Sequence, residues 1–214
     1  MTVGMVEKPK RKTRIQRANE QKILEAALEV FSRHGFRGST IDQISDEAGM
    51  SKPNLLYYFK SKLDIHETLL SRLLTSWLDP LREFSAEGDP LQEILGYVTR
   101  KIEMARDYPR ESRLFANEII QGAPNIKAIL EGEINDLIDE KAKVIANWMA
   151  EGRLKQADPK HLIFSIWATT QHYADFDVQV RLVLGDGINN EVEFEKTRAH
   201  LMQMFTSLLA VDAN

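Results

Sequence analysis

Residues 51–62 read SKPNLLYYFKSK, a run of side chains suited to meeting a polyanion. Ser51 is a helix N-cap, and Pro53 sits in the first turn, where a missing N–H removes no intrahelical bond. That end of a helix carries free backbone amides and the positive end of the dipole, so Ser51, Lys52 and Asn54 are placed to reach phosphates or base edges. Tyr57 and Tyr58 present flat apolar faces to sugars or thymine methyls and hydroxyls to phosphates. Lys62 closes the stretch as a second phosphate grip, and Thr40, at the start of the preceding helix, can act in the same way. Downstream, Trp167 and Gln171 are four residues apart, which puts an indole and an amide that both donates and accepts on one helix face. Each feature has a plainer alternative. The two short helices around Gly49 could be a simple hairpin with its tyrosines packed inside, and Trp167 could be core, with Gln171 satisfying a buried backbone group. His161 and His172 belong to neither an H-E-x-x-H nor a paired Glu-x-x-His pattern, so a metal site has little support.

The elements that would position these groups are helices. Ile23, Leu24, Ala27, Leu28 and Phe31 recur at three- and four-residue steps, predicting a helix from Ala18 to His34-Gly35. Thr40 with Gln43 forms a capping box for a second helix whose Ile41, Ile44 and Ala48 face inward, and Gly49 stops it. Leu55, Leu56 and Phe59 anchor the third, and Ser61 with Asp64 caps a fourth running to about Phe84. Beyond it, Asp89-Pro90, Tyr108-Pro109, Gly122-Ala123-Pro124, Gly152 and Asp158-Pro159 mark helix boundaries. A long helix over 125–151, a very apolar one from 158 to about 178, a GDGINN loop and a last helix from Val192 to Leu209 complete the pattern. No strand signal and no repeat stand out. The fold class is all-α, in three segments: a mobile basic arm over 1–17, a helix-turn-helix domain over 18–62, and a helical ligand-binding and dimerisation domain over 63–214.

Composition sharpens the division. Net charge is −4, yet residues 1–62 hold 12 Lys and Arg against 7 Asp and Glu, leaving the remainder at −9. A basic first third on an acidic remainder suits one end meeting a polyanion. Zero cysteines exclude disulfides, thiolate zinc sites and cysteine nucleophiles. With neither a secretory leader nor a membrane span in the pattern, the expectation is a cytoplasmic protein that makes no membrane contact. The missing acid-base and metal constellations argue against an enzyme or a helical carrier, and no cofactor is implied.

Residues 18–62, including ILEAALEVFSRHGFRGSTIDQISDEAGMSKPNLLYYFKSK, resemble the DNA-binding domain of the TetR family of bacterial transcriptional repressors. Two positions depart from the common pattern: Leu56 stands where many members have a tyrosine, and Tyr58 where a histidine is frequent. Operator sequence therefore does not carry over. The segments SWLDPL, ARDYPRESRLF, GAPNI, LIDEKAKVIANW and DPKHLIFSIWATTQHYADF extend the resemblance to regulators of pyrimidine utilisation within the family. The resemblance implies a homodimer on a palindromic double-stranded operator, bound without ligand and released by uracil or thymine. A family member sensing an efflux substrate or a fatty acyl compound is the competing reading.

A pyrimidine is flat and small, with two N–H donors and two carbonyl acceptors, so its site needs an aromatic sandwich and a few convergent polar groups. Trp77, Tyr97, Phe115, Trp167 and Gln171 supply these types, and Gln171 is the expected reader of a ring edge. Lys101 and Arg106 could meet the ring carbonyls, though surface or ion-pair roles are the expectation for both. The apolar stripe Phe194, Leu201, Met204, Phe205 and Leu208 of the last helix is the expected dimer surface.

Overall fold

The structure, a computed structural model, describes residues 13–185 and 187–211. Among these residues all regular structure is helical, and no helix is long and apolar enough to cross a membrane. The chain divides into two compact units, Met1–His66 and Glu67–Asn214.

In the first unit, α1 (Arg14–Gly38) starts four residues before the predicted start at Ala18, because Thr13 and Gln16 close a capping box around its first turn. Arg14 and Arg17 of the expected basic arm are therefore helical, while Lys8, Lys10, Arg11 and Lys12 lie outside the described residues. Gly35 adopts φ 65°, ψ 173° and kinks the helix, a conformation open to glycine because it has no Cβ. Buried Ser39 then donates from Oγ to the Gly35 carbonyl at 2.6 Å. Thr40 and Gln43 cap α2 (Ile41–Glu47) as the sequence predicts, and Ser51 caps α3 (Lys52–Tyr58). Gly49 (φ 57°) makes the turn between them. Ile23, Leu24, Phe31, Ile44, Leu55 and Phe59 form the core of the unit. Leu56 does not join it: 40% of its surface is exposed, because it lies one position beyond the inward-facing Leu55.

The second unit contains most of α4 (Lys62–Arg82), then α5 (Pro90–Asp107) and α6 (Pro109–Ile120). The expected long helix over 125–151 is α7 (Lys127–Ile129), a π-helical turn over Leu130–Ile134, and α8 (Asn135–Ala150). The very apolar segment is likewise two helices, α9 (Pro159–Asp175) and α10 (Asp177–Leu184), separated at Phe176. Beside the break, Asp177 pairs with Arg113 at 3.7 Å and Arg181 at 3.1 Å. The GDGINN loop contains a 3-10 turn, Gly187–Asn189, and α11 (Glu191–Leu209) ends the fold. Helix α9 is central, packing on α5, α6 and α8, and α11 packs on α5.

That last contact corrects the dimer stripe. Phe194, Leu201 and Phe205 are buried within the chain's own core, Met204 is half-buried, and only Leu208 remains exposed. The Arg106 guanidinium lies 4.1 Å over the Phe194 ring while pairing with Asp107 at 2.8 Å. An apolar face needs a partner, and here α5 is that partner. The exposed apolar side chains lie elsewhere, among them Phe164, Phe176, Val178, Leu182, Val183 and Val192.

Candidate functional site

In the first unit, a single ion pair joins the starts of the two short helices. Lys52 Nζ at the first residue of α3 lies 3.0 Å from Asp42 Oδ2 in the first turn of α2. Thr40, Ser51, Lys52 and Asn54 are all exposed around this pair, so free amides, hydroxyls and an ammonium share one surface. Both partners of the ion pair are about half exposed or more, which makes it weak and open to exchange for a phosphate.

Tyr57 is 72% exposed and stands edge-on to Tyr58, ring centroids 5.1 Å apart. Tyr58 is half-buried, and its hydroxyl accepts from Asn19 Nδ2 at 2.7 Å. Tyr57 thus leaves its ring at the surface, while Tyr58 is held by Asn19. Lys62 is differently engaged: its ammonium donates to the carbonyls of Phe36 at 2.7 Å and Ser39 at 2.6 Å, 4.4 Å above the Phe36 ring. It neutralises carbonyls left open past the Gly35 kink, and most of its hydrogen-bonding capacity is committed there rather than to a phosphate. Nearby His66 is buried against Phe31 and Phe36.

In the second unit four of the five residues that the sequence suggests for an effector fall into two contacting pairs. Trp167 Nε1 on α9 donates to the Tyr97 hydroxyl on α5 at 2.6 Å. Trp77 on α4 and Phe115 on α6 bring ring centroids to 6.1 Å. The link is Lys101, one turn beyond Tyr97 on α5, whose Nζ rests 4.3 Å from the Trp77 ring centroid. Sequence reasoning puts Lys101 at the surface; it is 3% exposed. The spacing holds the signal, since Lys101 follows Ile94 by seven residues and Tyr97 by four, on the apolar face of α5.

Across from it, Asp175 follows Gln171 by four residues on α9 and accepts from buried Ser112 Oγ at 2.5 Å. Burial raises the Asp175 carboxyl above the usual carboxylate range, opposed by the Ser112 bond and by the charges of Arg113, Lys101 and His172. Burial also lowers the Lys101 ammonium to about 8, opposed by Asp175. The Tyr97 phenol is held far above its ordinary value by burial, so it stays a donor. Among the described residues the Gln171 amide makes no intramolecular hydrogen bond, which removes the plainer reading in which it serves a buried backbone group. His161 is exposed beside Phe164, and His172 stacks on Phe176 at 5.1 Å.

Comparison with known proteins finds a family match along each of the two units. Residues 23–69 match the family described as bacterial regulatory proteins, tetR family, and residues 70–212 match YcdC-like protein, C-terminal region. The HTH-type transcriptional regulator RutR of Escherichia coli K12 is 46% identical over 197 residues, spanning 92% of this chain and 93% of that protein. The fatty acid metabolism regulator protein of Bacillus subtilis is 27% identical over 146 residues, 58% of this chain and 75% of that one. Among solved structures, Salmonella enterica GusR superposes with TM-score 0.62 at 19% identity, over 89% of this chain and 95% of that one. AibR in complex with isovaleryl coenzyme A and operator DNA gives 0.68 at 14% identity, over 87% and 97%; both show the shared fold. A family match along both units, and a relative this similar over nearly the whole length, make the chain a member of the TetR family of ligand-responsive, DNA-binding transcriptional repressors.

Proposed function

We propose that the protein represses genes of pyrimidine utilisation in the cytoplasm, without cofactor or catalysis, and leaves its operator when uracil or thymine binds the second unit. The observation that carries this reading is the 46% identity to RutR, which runs through the effector region as well as the helix-turn-helix. The chemistry of that region supports it. Trp77, Phe115 and Trp167 offer flat faces, and Tyr97 and Gln171 offer a donor and a donor-acceptor, a set that suits a small polar ring better than an acyl chain.

On DNA, Thr40, Ser51, Lys52, Asn54 and Tyr57 make the contacts, with Tyr58 holding Tyr57 and Lys62 holding the unit together. Two copies pair so that two recognition helices meet a palindromic operator, using exposed side chains of α9 and α11 such as Phe164 and Val192 in place of the buried stripe. Effector and operator are linked by a coupling free energy, so each weakens binding of the other by the same factor.

The test is release. Duplexes selected by the full-length protein from a random library are followed by fluorescence anisotropy as uracil or thymine is added. Loss of the complex at micromolar pyrimidine, with no response to isovaleryl coenzyme A, is the expected result. Release by the thioester alone would assign the protein to the acyl-sensing branch.

A further inference from the structure

If the second unit takes a pyrimidine, as proposed above, its ring edge has to meet polar side chains that the fold leaves unused. Lys101 is 3% exposed, with the Trp77 ring centroid 4.3 Å from its ammonium, which is not wholly closed off from solvent. Among the described residues it makes neither a hydrogen bond nor an ion pair. A buried cation without an acceptor is destabilising, and chains keep such groups only where something offsets the cost. Asp175 is the nearest opposing charge, felt through space but outside ion-pair reach. One of its oxygens takes the Ser112 hydroxyl, and the other takes no intramolecular hydrogen bond. The Tyr97 hydroxyl accepts from Trp167, which leaves its own proton uncommitted. Two donors and one carboxylate oxygen are therefore unused on neighbouring helices of one packed unit, beside two aromatic pairs.

We propose that Lys101 binds the effector directly, its ammonium donating to a ring carbonyl oxygen while Asp175 accepts from the adjacent ring N–H. The site then selects a cyclic imide or amide edge and rejects rings of the same shape that lack it. Rejection is strong because a ring without the carbonyl leaves the ammonium buried and unpaired. The Trp77 face supports Lys101 from behind, so the cation stays aimed at the ring. The charged and titratable groups around this pair are Asp175 and His172 on α9, Arg113 on α6, and Arg100 with Tyr97 on α5.

Binding a carbonyl favours the ammonium form, so uracil raises the affinity of Lys101 for its proton. With the free group near 8, uracil affinity is level below about pH 7 and weakens by up to about tenfold per pH unit above pH 8. The experiment is calorimetric titration of the full-length protein with uracil at pH 7.0 and 8.8, for wild type and Lys101→Met, with selected-duplex binding as the control for folding. A hydrogen bond to a charged donor predicts about 10- to 100-fold weaker uracil binding in the variant at pH 7.0, unchanged DNA binding, and loss of the pH dependence. Lys101→Met within threefold of wild type, or wild-type affinity equal at both pH values, overturns the assignment and leaves the pyrimidine reading standing. Should Lys101→Met fail to fold, the wild-type pH profile alone decides. Wild type that binds no uracil at either pH sinks the pyrimidine reading and this assignment with it.

Discussion

The two units keep their working groups in opposite environments. In the first, Thr40, Ser51, Lys52, Asn54 and Tyr57 are exposed on a small core that does not depend on them. In the second, Trp77, Tyr97, Lys101 and Ser112 are buried, so the groups proposed to meet a ligand are also the groups that fill the fold. A long polyanion can be met by a surface, whereas a small ring has to be enclosed before a few polar atoms can distinguish it. Substitutions should therefore separate binding from stability in the first unit and entangle them in the second.

The largest effect tests that entanglement. Trp77→Ala removes a buried indole that packs on Phe115 and carries the Lys101 ammonium, and should cost about 3–5 kcal/mol of stability. Tyr57→Ala should change stability by less than about 0.5 kcal/mol while weakening DNA binding. Thermal unfolding of the two variants side by side checks the contrast, and equal shifts in Tm would end it.

Next comes a variant expected to gain stability. The Lys101 ammonium titrates at about 8 rather than 10.5. As pH falls, the unfolded chain takes the proton first, so the cost of burial grows between those values and is fully present below about pH 8. Lys101→Met should then be more stable than wild type at pH 7 by about 2 kcal/mol, part of the gain being offset because Asp175 loses a favourable charge. The gain should vanish as pH approaches 10.5. Denaturant unfolding at pH 7 and at the alkaline end measures both, and a variant less stable at pH 7 would show that the ammonium is held by more than the Trp77 face.

On the DNA surface, Lys52→Ala should weaken binding by about 1 kcal/mol and reduce the slope of log affinity against log salt by about 0.9. Lys62→Ala should instead lower stability with little change in that slope, because its ammonium serves the Phe36 and Ser39 carbonyls. Equal slope changes in both would return Lys62 to the phosphate contacts.

The same contrast governs what the sequence makes legible. Caps and turns are local, so Thr40, Gln43, Gly49, Ser51 and Pro53 announce the helix-turn-helix. The early start of α1 is available in the same way, through Thr13 and Gln16, but it precedes the apolar periodicity that marks the rest of the helix. In the second unit periodicity identifies buried faces without saying what buries them. The stripe on α11 is apolar as expected, but its Phe194, Leu201 and Phe205 are buried within the chain's own core, where α11 packs on α5. The π turn at Leu130–Ile134 shifts the hydrogen-bond register without changing composition, and the break at Phe176 lies beside an ion pair of Asp177 with Arg113, a residue 64 positions away. Residue type alone assigns Lys101 to the surface, although its place on α5 puts it among Ile94, Tyr97 and Val98.

The smallest effect examines how the DNA surface is held before DNA arrives. Asp42 holds the Lys52 ammonium at 3.0 Å, with both side chains in contact with water. A phosphate must displace this carboxylate, and a carboxylate beside a phosphate is repelled in turn. Asp42→Asn keeps the shape and a weaker acceptor while releasing the cation, so DNA affinity should rise by a few tenths of a kcal/mol at low salt, the difference fading as salt screens it. The change should disappear when Lys52→Ala is made in the same protein, since Asp42 acts mainly through that ammonium. A double-mutant cycle on the selected duplex measures the coupling; a gain from Asp42→Asn that persists without Lys52 would mean that Asp42 repels the phosphates directly.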